Sequence, residues 1–149
     1  MKPPEEGGPD AGPAKPWPLP QAVAILGAPL EAGAGVAGSA MGPAALRTAG
    51  IADALRELGH DVVDRGDLKP VPLSNLPPPE GKARRFGEVA AWARTLAPAT
   101  HAILREGRLP IVLGGDHSLA MGSVAGIARY AREAGRKLFV LWLEVKGVL

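Results

Sequence analysis

Cysteine is absent from this chain, so neither a disulfide framework nor a thiolate metal site can be built from it. That fits a reducing cytoplasm, and leaves histidine and carboxylates as the only metal ligands. Aromatic residues make up only 4%, so a core has to come from Leu, Val, Ile and Ala. Long apolar runs are missing as well. The longest, residues 22–26 and 138–143, fall far short of the roughly 20 residues that span a bilayer. Residues 1–10 hold Pro3, Pro4, Glu5 and Glu6 and no apolar stretch, which argues against an export signal. Nor is there an excess of one charge: a net charge of +2 does not favour a nucleic-acid partner. The expectation is a soluble, cytoplasmic protein with neither a membrane nor a nucleic acid as partner.

What the chain does contain is alternating short apolar runs and helical patterns. Residues 1–20 carry seven prolines and three glycines with little to bury, and read as a flexible tail. Residues 21–149 then read as one domain, or part of one. The run 21–26, closed by Gly27 and Pro29, has the continuous apolar character of a strand covered on both faces. A glycine-rich loop, 27–42, leads to Pro43, whose fixed φ suits a first helical turn, and a helix continues to Gly50. A second helix is predicted over 51–58 and a second strand over 60–64. The proline-rich stretch 65–81 reads as a surface loop. Apolar residues spaced by three and four predict an amphipathic helix over 82–106, kinked or split at Pro98. Strand three is expected at 109–113, a helix at 119–133 and strand four at 137–143. The order βαβαβαβ predicts a three-layer α/β fold, a parallel sheet with helices on both faces.

Ligands in such sheets bind outside the carboxyl ends of the strands, where Gly114-Gly115-Asp116-His117-Ser118 follows strand three. Glycines let the backbone turn tightly, and a neutral imidazole offers a nitrogen to a divalent metal. A plainer reading is a tight turn in which Asp116 or Ser118 caps the next helix and His117 is half exposed. Spacing alone leaves both open.

The segment Gly-Gly-Asp-His-Ser-Leu-Ala-Met-Gly-Ser, residues 114–123, resembles the first metal-binding motif of the arginase family of ureohydrolases. Upstream, Gly27-Ala28-Pro29, the glycines of 33–38, residues 41–50 from Met41 to Gly50, and residues 58–67 from Leu58 to Asp67 resemble the amino-terminal half of bacterial arginases in the same order. The likeness runs over residues 23–143 and implies an arginase-like sheet with helices on both faces, incomplete at the carboxyl end. It also implies two Mn ions, held by His and Asp, whose bridging hydroxide attacks the guanidinium carbon of L-arginine to give ornithine and urea. His117 matches the first ligand. The family's next motif, Asp-Ala-His-x-Asp, is replaced here by Glu144-Val145-Lys146-Gly147-Val148, so Glu144 is the one further candidate ligand. Lys146 and Val148 stand where a histidine and a carboxylate are expected, and the later Ser-x-Asp-x-Asp motif and substrate-holding residues are absent. One imidazole and one carboxylate cannot fix two metal ions. The expectation is therefore a truncated arginase-like chain, inactive alone, that works or persists only as a homo-oligomer or with a complementary carboxyl-terminal half.

The sequence admits two other readings. A non-catalytic fragment that associates with arginase-like subunits is the alternative that the missing ligands suggest. A dinucleotide-binding domain is suggested by Gly33, Gly35 and Gly38 in a Gly-x-Gly-x-x-Gly pattern, with Asp64 as the ribose-binding acid, although the glycines lie well past the strand. His60, Asp61, Asp64 and Asp67 form an acidic cluster, but strand residues alternate faces and should scatter them. His101 is expected to be solvated on its helix, and Lys82, Arg84 and Arg85 to form a wet surface.

Overall fold

The computed structural model describes residues 21–35, 37–71 and 85–143. The expectations for the tail 1–20, for the triple proline at 77–79, for Lys82 and Arg84, and for Glu144, Lys146 and Val148 lie outside the described residues.

Strand β1 (Ala22–Ala28) is the centre of the molecule, and its apolar sequence explains why. Val23 and Ile25 face one side with Val62 and Leu113, against half-buried Ile51, Ala52 and Leu55. Ala24, Leu26 and Ala28 face the other side, with Trp92, Leu96 and Ile103. A strand that is apolar on both faces must be covered on both. Helix α2 (Ile51–Glu57) covers the first face and α3 (Phe86–Arg105) the second, which makes three layers. Helix α1 (Gly42–Thr48) starts with Pro43 in its first turn, as predicted, after a 3-10 turn at Ser39–Met41.

Strands β2 (Asp61–Asp67) and β3 (Leu109–Gly114) pair in parallel with β1, in the order β2-β1-β3. The protein is thus an open α/β fold of three parallel strands. Pro110, which has no amide to donate, is tolerated because β3 pairs only with β1 among the described residues. Strand β2 runs three residues past its predicted end. A register shift opposite Ile25 and Gly27, with Gly66 at a φ of 72°, lets Asp67 rejoin the ladder, where Arg-Gly-Asp alone suggested a loop.

Helix α3 continues through Pro98 without splitting. The proline removes one helical hydrogen bond, and the apolar stripe on either side of it, Trp92, Leu96 and Ile103, remains seated on the sheet. Helix α4 (Leu119–Glu133) lies against α3 at very short range, because its contact positions are glycines. A Cβ on Gly126 would stand 2.3 Å from the Ala97 carbonyl oxygen, and one on Gly122 2.8 Å from that of Ala93. Buried Thr100 sits in the seam and donates to the Leu96 carbonyl at 3.0 Å.

One predicted strand is corrected. Residues 137–143 form no strand; they are exposed, with Phe139, Leu141 and Leu143 each more than four-fifths accessible. Their apolar, β-favouring composition is real, but a strand exists only when its amides and carbonyls find a neighbour, and none of the three strands pairs with this segment. No helix of the described residues is long and apolar enough to cross a membrane.

Candidate functional site

The strand order sets the position of the site. From β1 the chain moves to β2 on one side and then to β3 on the other, so the carboxyl ends of β1 and β3 flank the place where the direction of winding reverses. Loops leaving such neighbours diverge and open a crevice, the usual ligand position in this class. The loop after β1 and the turn Gly114-Gly115-Asp116-His117-Ser118 meet there.

They meet in backbone contact. The Asp116 amide donates to the Leu30 carbonyl at 2.9 Å. A Cβ on Gly115 would stand 1.7 Å from that same oxygen, and one on Gly42 2.2 Å from the Gly114 carbonyl oxygen. These glycines are required by proximity rather than by φ. The Asp116 carboxylate adds a second connection, accepting the Gly33 amide at 2.6 Å, the Ser118 amide at 2.8 Å and the Ser118 hydroxyl. Burial raises the Asp116 carboxyl, but the bonds from Ser118, Gly33 and Ala34 together outweigh it and hold the group below its ordinary range. Asp116 therefore closes the turn ahead of α4, and the side-chain cap on α4 that one reading of the sequence expected from Asp116 or Ser118 is not made.

His117 is exposed at the tip of the turn. Its ring lies 5.6 Å from that of Trp142, tilted by 32°. Together with Gly114, Gly115, Asp116, Leu119 and Ala120 these two rings line a cavity of about 270 Å³. Nothing in the sequence signals the Trp142 neighbour, which lies 25 residues away.

Does this set fit two Mn ions? Among the described residues no group of three or more His, Cys, Asp and Glu side chains could hold a metal ion. His117 supplies one imidazole, and both Asp116 oxygens already accept hydrogen bonds. The described residues do not make a two-metal site, and Glu144 lies outside them.

The other candidate residues serve the scaffold. Arg47 of α1 pairs bidentately with Asp64 at 2.7 and 3.0 Å and reaches Asp67 at 2.5 Å. Asp61 pairs instead with Arg108 at 2.8 Å, and His60 accepts the Gln21 amide at 3.3 Å. His60 and Asp61 are directed elsewhere, as alternation predicted, whereas Arg47 gathers Asp64 and Asp67. His101 is a correction, because only 13% of its side chain is exposed and its Nε2 contacts Glu133 at 2.7 Å. That contact, and then Arg129, lower the Glu133 carboxyl to about 2. The sequence placed His101 on α3 but could not show that α4 packs beside it.

The dinucleotide reading finds its amides already used. Glu31, whose role the sequence did not signal, accepts the Gly38 amide at 2.5 Å and the Ala40 amide at 3.3 Å, which lowers its carboxyl. Asp116 takes the Gly33 amide, and Asp64 is paired with Arg47. Two carboxylates against the loop would repel a pyrophosphate.

Comparison with known proteins agrees with this architecture. A sequence model described as Arginase family matches residues 21–144. The arginase of Brucella melitensis is 48% identical over 120 residues, covering 80% of this chain and 39% of that protein. The arginase of Agrobacterium fabrum is 42% identical over 120 residues, covering 80% and 37%. The solved arginase of Bacillus caldovelox superposes with a TM-score of 0.62 at 38% identity, covering 73% of this chain and 37% of that one. The chain thus spans about two-fifths of the length of the relatives it matches. A sheet wound β2-β1-β3, a Gly-Gly-Asp-His-Ser turn at its reversal and a match along most of the length have one explanation: the chain belongs to the arginase family.

Proposed function

We propose that this chain contributes the amino-terminal part of the site of an Mn-dependent ureohydrolase that converts L-arginine to ornithine and urea. The observation carrying this reading is the exposed imidazole of His117, at the carboxyl end of β3 beside the sheet's reversal, within the family match. His117 is the residue proposed to hold manganese, with Glu144 as a further candidate. Bound manganese would supply a nucleophilic hydroxide near neutral pH. What this chain's own residues do is present that imidazole and form one wall of the crevice.

A second reading follows from the ligand count. Residues 1–149 by themselves do not turn over arginine, and act as a non-catalytic unit that associates with further arginase-like polypeptide, either another copy or a complementary carboxyl-terminal half. The exposed apolar side chains of Phe139, Leu141 and Leu143 favour association. The compartment proposed is the cytoplasm, on the absence of cysteine.

Urea release from L-arginine with added Mn tests both. Purified residues 1–149 are expected to give none above the blank. Adding the carboxyl-terminal half of the Brucella arginase is expected to give release that His117→Ala abolishes. Turnover by residues 1–149 alone would overturn the second reading. If the two polypeptides co-elute and release no urea, the first is lost.

A further inference from the structure

We propose that Asp116 is a positioning residue: its carboxylate ties the loop after β1 to the His117 turn across the crevice between β1 and β3, and so fixes where His117 is presented. Its two oxygens divide the work. Oδ2 accepts the Gly33 amide at 2.6 Å from the far side of the crevice, whereas Oδ1 accepts the Ser118 amide at 2.8 Å and the Ser118 hydroxyl on its own side. A carboxylate bridging two backbone segments in this way makes charge-assisted bonds, about twice as strong as neutral ones.

The surroundings are shaped for the bridge. A Cβ on Gly33 would lie 3.0 Å from Asp116 Oδ1 and 3.1 Å from Ser118 Oγ, tight enough that these side chains would have to shift by a few tenths of an ångström. On the same loop Glu31 accepts the Gly38 and Ala40 amides, so residues 31–40 are held at one end by their own carboxylate and at the other by that of Asp116. With Asp116 fixed on both sides, the adjoining His117 has little freedom to rotate away from the cavity it lines with Trp142. Asp116 therefore acts through Gly33 and Ser118 and is not itself offered to a ligand.

This inference rests on the proposed site only in identifying His117 as the side chain presented. The test reads geometry, so failure to hydrolyse arginine would leave it standing, and its own failure would leave the arginase reading standing. The experiment is NMR on residues 1–149, comparing the unaltered chain with Asp116→Ala, Asp116→Asn and Ser118→Ala. Amide exchange at Gly33 and Ser118 and the ring resonances of His117 and Trp142 are followed at fixed pH.

Asp116→Ala is expected to speed exchange at Gly33 and Ser118 by about tenfold, the worth of a bond to a charged acceptor. It is also expected to shift the His117 ring signals while β1 keeps its protection. Asp116→Asn retains one acceptor oxygen and should fall between, and Ser118→Ala should spare the Gly33 amide. Unchanged Gly33 exchange and His117 signals in Asp116→Ala would overturn the proposal. So would a uniform rise in exchange through β1, α3 and α4, the mark of a merely structural role. If Asp116→Ala does not fold, Asp116→Asn decides: an intermediate Gly33 rate supports the tether, and a rate equal to that of the unaltered chain refutes it.

Discussion

Gly126→Val is expected to lower the unfolding free energy by about 3 kcal/mol, near the top of the range for overpacked cores. The first added carbon would stand 2.0 Å from Thr100 Oγ1 and 2.3 Å from the Ala97 carbonyl oxygen. A hydroxyl can rotate, but a helical carbonyl cannot, so α3 and α4 would have to part. Separation also lengthens the contact from Thr100 Oγ1 to the Ser123 carbonyl, already 3.4 Å. Removing a glycine from a helix returns about 1 kcal/mol of propensity when the new residue is Ala, and less for β-branched Val, so steric repulsion wins. Against a total of about 5 to 15 kcal/mol for a domain, the loss is a large fraction. Urea unfolding checks it, with Gly50→Ala as the comparison. Gly50 has a φ of 84° and open space around it, so that change costs only backbone strain, about 1 to 2 kcal/mol. A Gly126→Val protein that unfolds at the same urea concentration as the parent would show that the helices are not in contact there.

Replacing Arg47 by Ala removes the clamp between α1 and the end of β2, at an expected cost of about 2 kcal/mol near neutral pH. The upper part of the charged-bond range is discounted because Arg47, Asp64 and Asp67 side chains are 24%, 27% and 42% exposed, and water screens them. The pH dependence has a definite sign. The Arg47 hydrogen bond lowers the Asp64 carboxyl, against burial, which raises it. A group depressed in the folded state stabilises above its unfolded pKa of about 3.9, and that contribution disappears as pH falls through the folded value. The stability gap between the parent and Arg47→Ala should therefore be widest near neutrality and close in acid. Urea midpoints at about pH 7 and about pH 2.5 measure it. A gap that widens on acidification would mean that Asp64 is not the titrating partner.

Much of the scaffold was legible because its signals are local. The continuous apolar run of β1 announced a strand covered twice, Pro43 opened α1, and the three-and-four spacing marked α3. Where the reading stopped short, the deciding partner lay elsewhere in the chain. Asp67 is in a strand only because β1 lies beside it, and residues 137–143 are not in one because none of the described strands pairs with them. Pro98 looked like a helix breaker because propensity counts the lost bond and not the packing that retains α3.

The site divides the same way. Residue order alone determined the class of fold and the turn that carries His117, since both depend on residue type at short spacing and on motifs that survive in order. Tertiary structure decided that β3 lies beside β1 rather than β2, that Trp142 flanks His117, that Asp116 reaches Gly33, and that Arg47 pairs with Asp64 and Asp67. Each of these joins residues 17 to 86 positions apart, and such pairs are selected by which surfaces can be buried together, a property no single segment carries.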